Sequence, residues 1–354
     1  MSDLQKSFLK RLKQREASLG LSSLSEDPIE STGLNNQTSR DEIINQDKKI
    51  VNQYNTVKSN FENFIYKDDN RYFKCYYRPV KEKGPVLVCL HGAGSSSMTF
   101  ARLTEHIEFS VFLFDMRGHG ESFFDEDFSM NSLVDDVRFV LNEFVESYKP
   151  SSIFMLGHSL GGAVFANYLQ KYQTEKLYQG LILLDIVEET AVSSLIVMPQ
   201  FIEKIPKKFD SLTSAIQWHM NFLLFNENSA EVSVPDLLNL DELTWKTDLK
   251  RTQYYWDTWF HGLSKNFLNF KGAKLLILSA HETLDKELII GQMQGKYQLV
   301  VFNNNQKSGH FVHEDIPKQV AICINDFIKK TIAPEKYMKE DLGFKPKWGG
   351  KINS

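Results

Sequence analysis

The chain has 354 residues, 42% of them apolar, enough to bury the core of one large domain carrying an insertion. Its 41 Lys and Arg against 45 Asp and Glu leave a net charge of −4, which argues against nucleic acid or an anionic membrane as a general partner. No run approaches the roughly 18 apolar residues of a membrane span, and the N-terminus has no secretory apolar region.

Residues 1–60 read as a flexible segment outside the core. Met1 to Leu19 sets Leu4, Phe8, Leu9 and Leu12 on one helical face among Lys6, Lys10, Arg11, Lys13 and Arg15, a short amphipathic helix or a frayed tail. Asp3 and Glu16 weigh against a mitochondrial presequence. Leu21 to Gln46, rich in Ser, Asn, Asp and Glu, is expected as a linker. From Phe73 to Arg78 onward, strand-like and helical segments alternate as in a doubly wound, mostly parallel sheet spanning 61–335. Residues 336–354, with Lys336, Lys339, Lys345, Lys347 and Lys351, read as a solvated basic tail. Cys75 and Cys89 fall in predicted strands and Cys323 in the last helix. With no metal-ligand spacing, they read as reduced thiols of a cytoplasmic or nuclear protein, and no metal or other cofactor is expected.

Pro85 to Leu90 is a buried-strand run ending in His91-Gly92-Ala93-Gly94, a glycine turn that can present a backbone N–H. Val111 to Asp115 is the next strand, and in the charged turn after it Asp115, Arg117 and His119 are expected to hold loops together. Ile153 to Leu156 then runs into Gly157-His158-Ser159-Leu160-Gly161, a nucleophile elbow with Ser159 at its tip. Gly157 and Gly161 remove side chains that would collide where strand and helix cross, and the helix that follows points its N-terminal N–H groups at Ser159. The N–H groups of Ala93 and Leu160 form the expected oxyanion pair.

An elbow serine of the α/β-hydrolase fold is followed in the chain by an acid and then a histidine. Gly180 to Leu184 ends at Asp185, whereas Ala273 to Leu278 is followed by Glu282 and Asp285, and either strand end could supply the acid. Glu282 or Asp285 has the usual position, while Asp185 closes a buried apolar run where an unpaired carboxylate is costly. Tyr297 to Phe302 reads as the last strand, and Ser308-Gly309-His310-Phe311-Val312-His313 follows, before a helix at Pro317. His310, after the glycine, is the expected base, preferred over His313, which lies nearer the helix start and could equally cap or brace the loop. Glu188 to Phe270, with Trp218, Trp245, Trp256 and Trp259, interrupts the alternation and reads as a helical cap over about 188–270.

Beyond the elbow, Leu184 to Glu188, Tyr255 to Ser264, Ile290 to Gln298 and Gly309 to Asp315 together resemble the protein phosphatase methylesterase family across about 71–330. The resemblance implies Ser159, Asp185 and His310 as the triad. It further implies, as substrate and partner, the methyl ester on the C-terminal leucine of the catalytic subunit of type 2A protein phosphatases. Membership in a shared block suggests that Gln292 and Met293, in a loop between the last two strands, line the substrate tail. Animal members carry a long charged insertion in the cap where this chain has only Asn226 to Leu243. A general small-ester carboxylesterase or lipase, or a phosphatase-binding inhibitor, are the alternative functions.

Overall fold

The structure, a computed structural model, describes residues 36–80, 84–172, 176–279, 284–302 and 307–334. The described chain opens on helix α1 (Asn36–Lys58), followed by β1 (Glu62–Lys67), β2 (Tyr72–Arg78) and β3 (Val86–Leu90). A 3-10 turn at Ser97–Phe100 leads into α2 (Ala101–Thr104), then β4 (Ser110–Phe114), α3 (Met130–Tyr148), β5 (Ile153–His158), α4 (Leu160–Tyr172) and β6 (Tyr178–Leu184). After β6 come α5 (Glu188–Leu195), α6 (Met198–Lys204), α7 (Leu212–Phe222), α8 (Glu227–Leu237), a small hairpin of β7 (Leu238–Asn239) and β8 (Thr244–Trp245), α9 (Leu249–Thr252), α10 (Trp256–Trp259) and α11 (Leu263–Asn269). Then follow β9 (Ala273–Leu278), α12 (Lys286–Met293), β10 (Gln298–Val301), α13 (Val312–Asp315) and α14 (Pro317–Ile332).

The large sheet has the order β1-β2-β4-β3-β5-β6-β9-β10. It is parallel from β4 to β10, with β1 and β2 added antiparallel at one edge. Every residue of β3, β4 and β5 is buried, because helices cover both faces; a strand of this kind needs apolar residues at successive positions rather than in alternation. Val86, Val88 and Leu90 pack on one side with α3 and α4, and Leu87 and Cys89 on the other with α2 and α14. Helix α3 shows why the flanking elements form. Ser129 caps its start by accepting from the Ser132 N–H, and Leu133, Val134, Val137, Val140, Leu141 and Phe144 repeat at helical spacing on the face it buries. Lys149 ends it in the left-handed conformation, at φ +48°.

The cap has a small core of its own, in which Phe209, Leu212, Ile216, Leu224, Val234 and Leu238 close on Trp218 and Trp245. Trp256 and Trp259 instead join the main core, with the Trp259 indole donating to the Phe128 carbonyl. The linker expected over Leu21 to Gln46 is helical from Asn36, as the first turns of α1. That helix puts Ile50 into the cap core and Tyr54 and Val57 into the core on the Leu87 and Cys89 face of the sheet, so burial pays the ordering entropy that its polar composition would not. The expected amphipathic segment Met1 to Leu19 and the basic tail 336–354 lie outside the described residues. Among the described residues no helix is long and apolar enough to cross a membrane. Cys75, Cys89 and Cys323 are free thiols, the first two buried.

Candidate active site

The turn between β5 and α4 holds Ser159 at φ +50°, a left-handed backbone that a non-glycine residue adopts only under constraint. The constraint is close packing. A Cβ on Gly157 would stand 2.3 Å from the Gly162 nitrogen, and one on Gly161 2.2 Å from the Leu90 oxygen. The Ser159 N–H donates to the Leu184 carbonyl at 3.2 Å, which fastens the elbow to the end of β6. The next residue after that strand end is Asp185.

Asp185 is itself left-handed, at φ +49°, with its N–H bonded to the Ile277 carbonyl of β9 at 2.8 Å. Its buried carboxylate accepts the Ser279 N–H on Oδ1 at 2.7 Å and meets His310 Nδ1 with Oδ2 at 2.9 Å. An ionised carboxylate can only accept here, so the neutral His310 ring carries its proton on Nδ1 and its basic lone pair on Nε2. The His310 side chain is 49% exposed while that of Asp185 is 4% exposed, a ring open to an incoming substrate on a buried support.

Of the competing acids, Asp285 is occupied elsewhere. It accepts the Glu189 N–H at the start of α5 at 3.0 Å and the Ser264 hydroxyl. Glu282 lies outside the described residues. His313 is fully buried and bonded through Nε2 to the Thr99 hydroxyl at 2.9 Å; burial holds its pKa down at about 3, so it braces the loop as a neutral ring.

The glycine turn of Ala93 lies against the elbow, where a Cβ on Gly92 would come within 3.1 Å of Ser159 Cβ. Two histidines fix that turn. The Gly94 N–H donates to His119 Nε2 at 2.9 Å, and His119 Nδ1 lies 2.8 Å from the Arg117 carbonyl. His91 takes the Met116 N–H on Nε2 at 3.0 Å, with its Nδ1 2.9 Å from the Gly92 carbonyl. Burial pushes His91 down to about 3 and His119 to about 4, so both remain neutral and keep one acceptor and one donor nitrogen. Asp115 accepts the Ser97 and Glu121 N–H groups, and Arg117 pairs with Asp136 through two bonds, in agreement with the loop-holding role expected of Asp115, Arg117 and His119.

Gln292 and Met293 are corrected from loop to helix. They form the last turn of α12 and are exposed, Met293 to 83%. Helix α12 runs from the C-terminal end of β9 back to the start of β10, which sets both residues at the opposite end from Ser159 and Asp185.

A family model for the alpha/beta hydrolase fold matches residues 85–317. A relative named protein phosphatase methylesterase 1 from Candida albicans is 58% identical over the whole of both chains, and one of the same name from Debaryomyces hansenii is 46% identical, again over the whole of both. The chain belongs to the protein phosphatase methylesterase family. Solved structures share the fold at much lower identity. E-2-(acetamidomethylene)succinate hydrolase superposes with a TM-score of 0.61 at 17% identity, covering 76% of this chain and 99% of its own.

Several supports of the methylesterase site went unread in the sequence. His158, beside the elbow serine, lies 2.8 Å through Nε2 from the His310 backbone carbonyl, with its ring centroid 4.6 Å from that of His310. Burial holds its pKa well below the usual histidine range, so the ring is neutral and donates that bond. Asp315 accepts the Gly309 N–H at 2.7 Å and the Phe225 N–H of the cap at 2.7 Å, straddling the base loop. Glu188 accepts the N–H groups of Gly262 and Ser264 and so holds the start of α11. A polar residue next to a glycine or just after a strand was the available signal; apart from Gly309, six residues from Asp315, the partners are dozens of residues away.

Proposed function

We propose that the chain is a serine carboxylesterase that removes the methyl ester from the C-terminal leucine of the catalytic subunit of type 2A protein phosphatase. The observation that carries the reading is the hydrogen bond from His310 Nδ1 to Asp185 Oδ2 beside a serine held at an elbow. Membership in a methylesterase family points to the ester.

Ser159 attacks the ester carbonyl while His310 Nε2 takes its proton, and Asp185 stabilises the imidazolium and fixes the tautomer. The N–H groups of Ala93 and Leu160 receive the oxyanion: Leu160 opens α4, where first-turn N–H groups have no partner within the helix, and Ala93 sits in the turn that His91 and His119 clamp. Methanol departs with the proton from His310, leaving the leucine carbonyl on Ser159. Water then gives a proton to the same nitrogen, attacks the acyl group and releases a free carboxylate with the serine restored.

The test is mass spectrometry of the phosphatase C-terminus after incubation of the methylated core enzyme with this protein. The wild type should remove one methyl group per subunit, and Ser159→Ala should lose at least about 10³ of the rate. Demethylation by Ser159→Ala at the wild-type rate overturns the nucleophile assignment. A rate on a nitrophenyl ester matching that on methylated phosphatase would instead make the chain a general carboxylesterase.

A further inference from the structure

Helix α1 precedes the region matched by the hydrolase-fold model, yet it is bound to two helices of the cap. The Asp47 carboxylate accepts the N–H groups of Leu212 and Thr213 at 3.0 and 2.8 Å and the Thr213 hydroxyl at 2.6 Å, which anchors α1 to the start of α7. Two turns further on, Tyr54 donates to Asp236 Oδ1 at 2.5 Å, and Lys58 Nζ donates to the same oxygen at 2.9 Å. Lys58 also reaches Glu121 Oε1 at 2.6 Å, on the loop that follows β4.

Asp236 is fully buried near the C-terminal end of α8. The residues at and before the other end of α8 grip the base loop. The Ser229 hydroxyl and the Asn226 amide donate to the Glu314 carbonyl at 2.7 and 3.0 Å, and the Phe225 N–H donates to Asp315, whose second oxygen holds Gly309 next to His310. One helix therefore connects the Lys58–Asp236 ion pair, whose carboxylate is fully buried, to the neighbours of the general base.

We propose that α1 is a positioning element of the esterase, with Lys58 and Asp236 as positioning residues that set α8 and, through it, His310. Burying this pair is a poor way to gain stability, because desolvation offsets most of the attraction; what such a pair does well is to favour one arrangement over others. Burial alone would raise the Asp236 carboxyl, but the Lys58 and Lys246 ammonium groups and the hydrogen bonds from Tyr54 and Ser96 together outweigh it, so Asp236 stays charged and oriented. The segment Asn226 to Leu243 that contains α8 thus ties the cap to the catalytic loop.

The inference rests on the serine-esterase reading above. The experiment takes the full chain with Lys58→Met, Lys58→Arg and Asp47→Ala. It measures kcat and KM on 4-nitrophenyl acetate and on methylated phosphatase, and records the low-field proton resonance of His310 Nδ1. Lys58→Met should lower kcat on both substrates by the same factor, about 10-fold to 100-fold, with KM unchanged and the resonance broadened. Lys58→Arg should restore most of it. If Lys58→Met does not fold, Asp47→Ala, which loosens α1 without stranding a buried charge, should show the same split at smaller size. A lowered melting temperature with wild-type kcat and an unchanged resonance in the folded variant overturns the proposal. A wild-type protein that hydrolyses neither ester fails the esterase reading itself, whereas the resonance needs no turnover.

Discussion

Asp185 and His310 make a bond whose value lies in geometry. With Oδ1 tied to the Ser279 N–H and Oδ2 to the ring, the carboxylate has one orientation, and the ring can offer only Nε2 to the serine. Asp185→Asn can keep the shape but donate through its amide, favouring the wrong tautomer, so kcat should fall by about 10³ to 10⁴ with folding intact. Glu282→Gln should leave kcat near wild type. Steady-state kinetics on the two proteins, with melting curves as a control, ranks the acids, and the reverse ranking would move the acid to the loop after β9. The elbow glycine carries a different demand. A methyl group on Gly161 would sit 2.2 Å from the Leu90 oxygen, a backbone atom that cannot rotate away. Gly161→Ala should therefore destabilise by about 1–3 kcal/mol or more, and activity should fall with it, because β3 and α4 must separate to admit the methyl. Chemical denaturation measures the first and ester turnover the second.

At the scale of elements, the oxyanion turn is held by side chains from the loop after β4. His119 accepts the Gly94 N–H, one residue beyond Ala93, from a ring packed at 6.3 Å against Phe128. His119→Phe keeps the ring volume but strands that N–H, which should cost about 1–3 kcal/mol of stability. It should also lower kcat more than it raises KM, by less than the roughly 10²–10³ of a lost oxyanion donor. Unchanged kcat in a destabilised His119→Phe would make the clamp purely structural. How much of this could be read beforehand depended on the range of the interactions. The central strands β3, β4, β5, β6 and β9 were legible because burial on both faces writes a continuous apolar run. The elbow was legible because its glycines obey a local steric rule. The acid was ambiguous for a reason the sheet makes plain: β6 and β9 are parallel neighbours, so both strands end at the same edge of the sheet. Edge strand β1 exposes Glu62, Asn63, Ile65 and Lys67 and carries little periodic signal. Helix α1 fell within the flexible segment expected over 1–60, since Ile50, Tyr54 and Val57 are sparse apolar points among Asn, Gln and Lys. Its fastening to Asp236, 182 residues from Tyr54, has no local trace.

Across the whole molecule the unusual feature is how many histidines are buried neutral. His91, His119, His158, His219 and His313 lie in the interior, each with its pKa pushed down by burial. Two buried acids oppose them: Asp115 is pushed up to about 6 and Glu314 to about 8, burial again being the main cause. The signs follow from proton counts. Below pH 6.5 the unfolded chain takes up protons on five histidines that the native state refuses, so stability increases as pH rises toward that point. From the ordinary carboxyl value of 4.5 up to about 8, the native state keeps a proton on Glu314 that the unfolded chain releases, so this group's contribution is complete at low pH and is lost as pH rises through the folded value. The histidines outnumber the acids below 6.5, while Glu314 acts without them above it. Glu314 also holds the Thr99 hydroxyl at 2.5 Å, next to His313, so its ionisation is felt beneath the base loop. The melting temperature should therefore climb steeply from pH 5 to about 6.5 and then decline toward pH 8, at no more than about 1.4 kcal/mol of stability per pH unit for the single group. Glu314→Gln keeps the shape and cannot ionise, so it should remove the upper decline and leave the lower climb intact. Calorimetry of both proteins across that range decides it: a decline that persists unchanged in Glu314→Gln would assign it to another group.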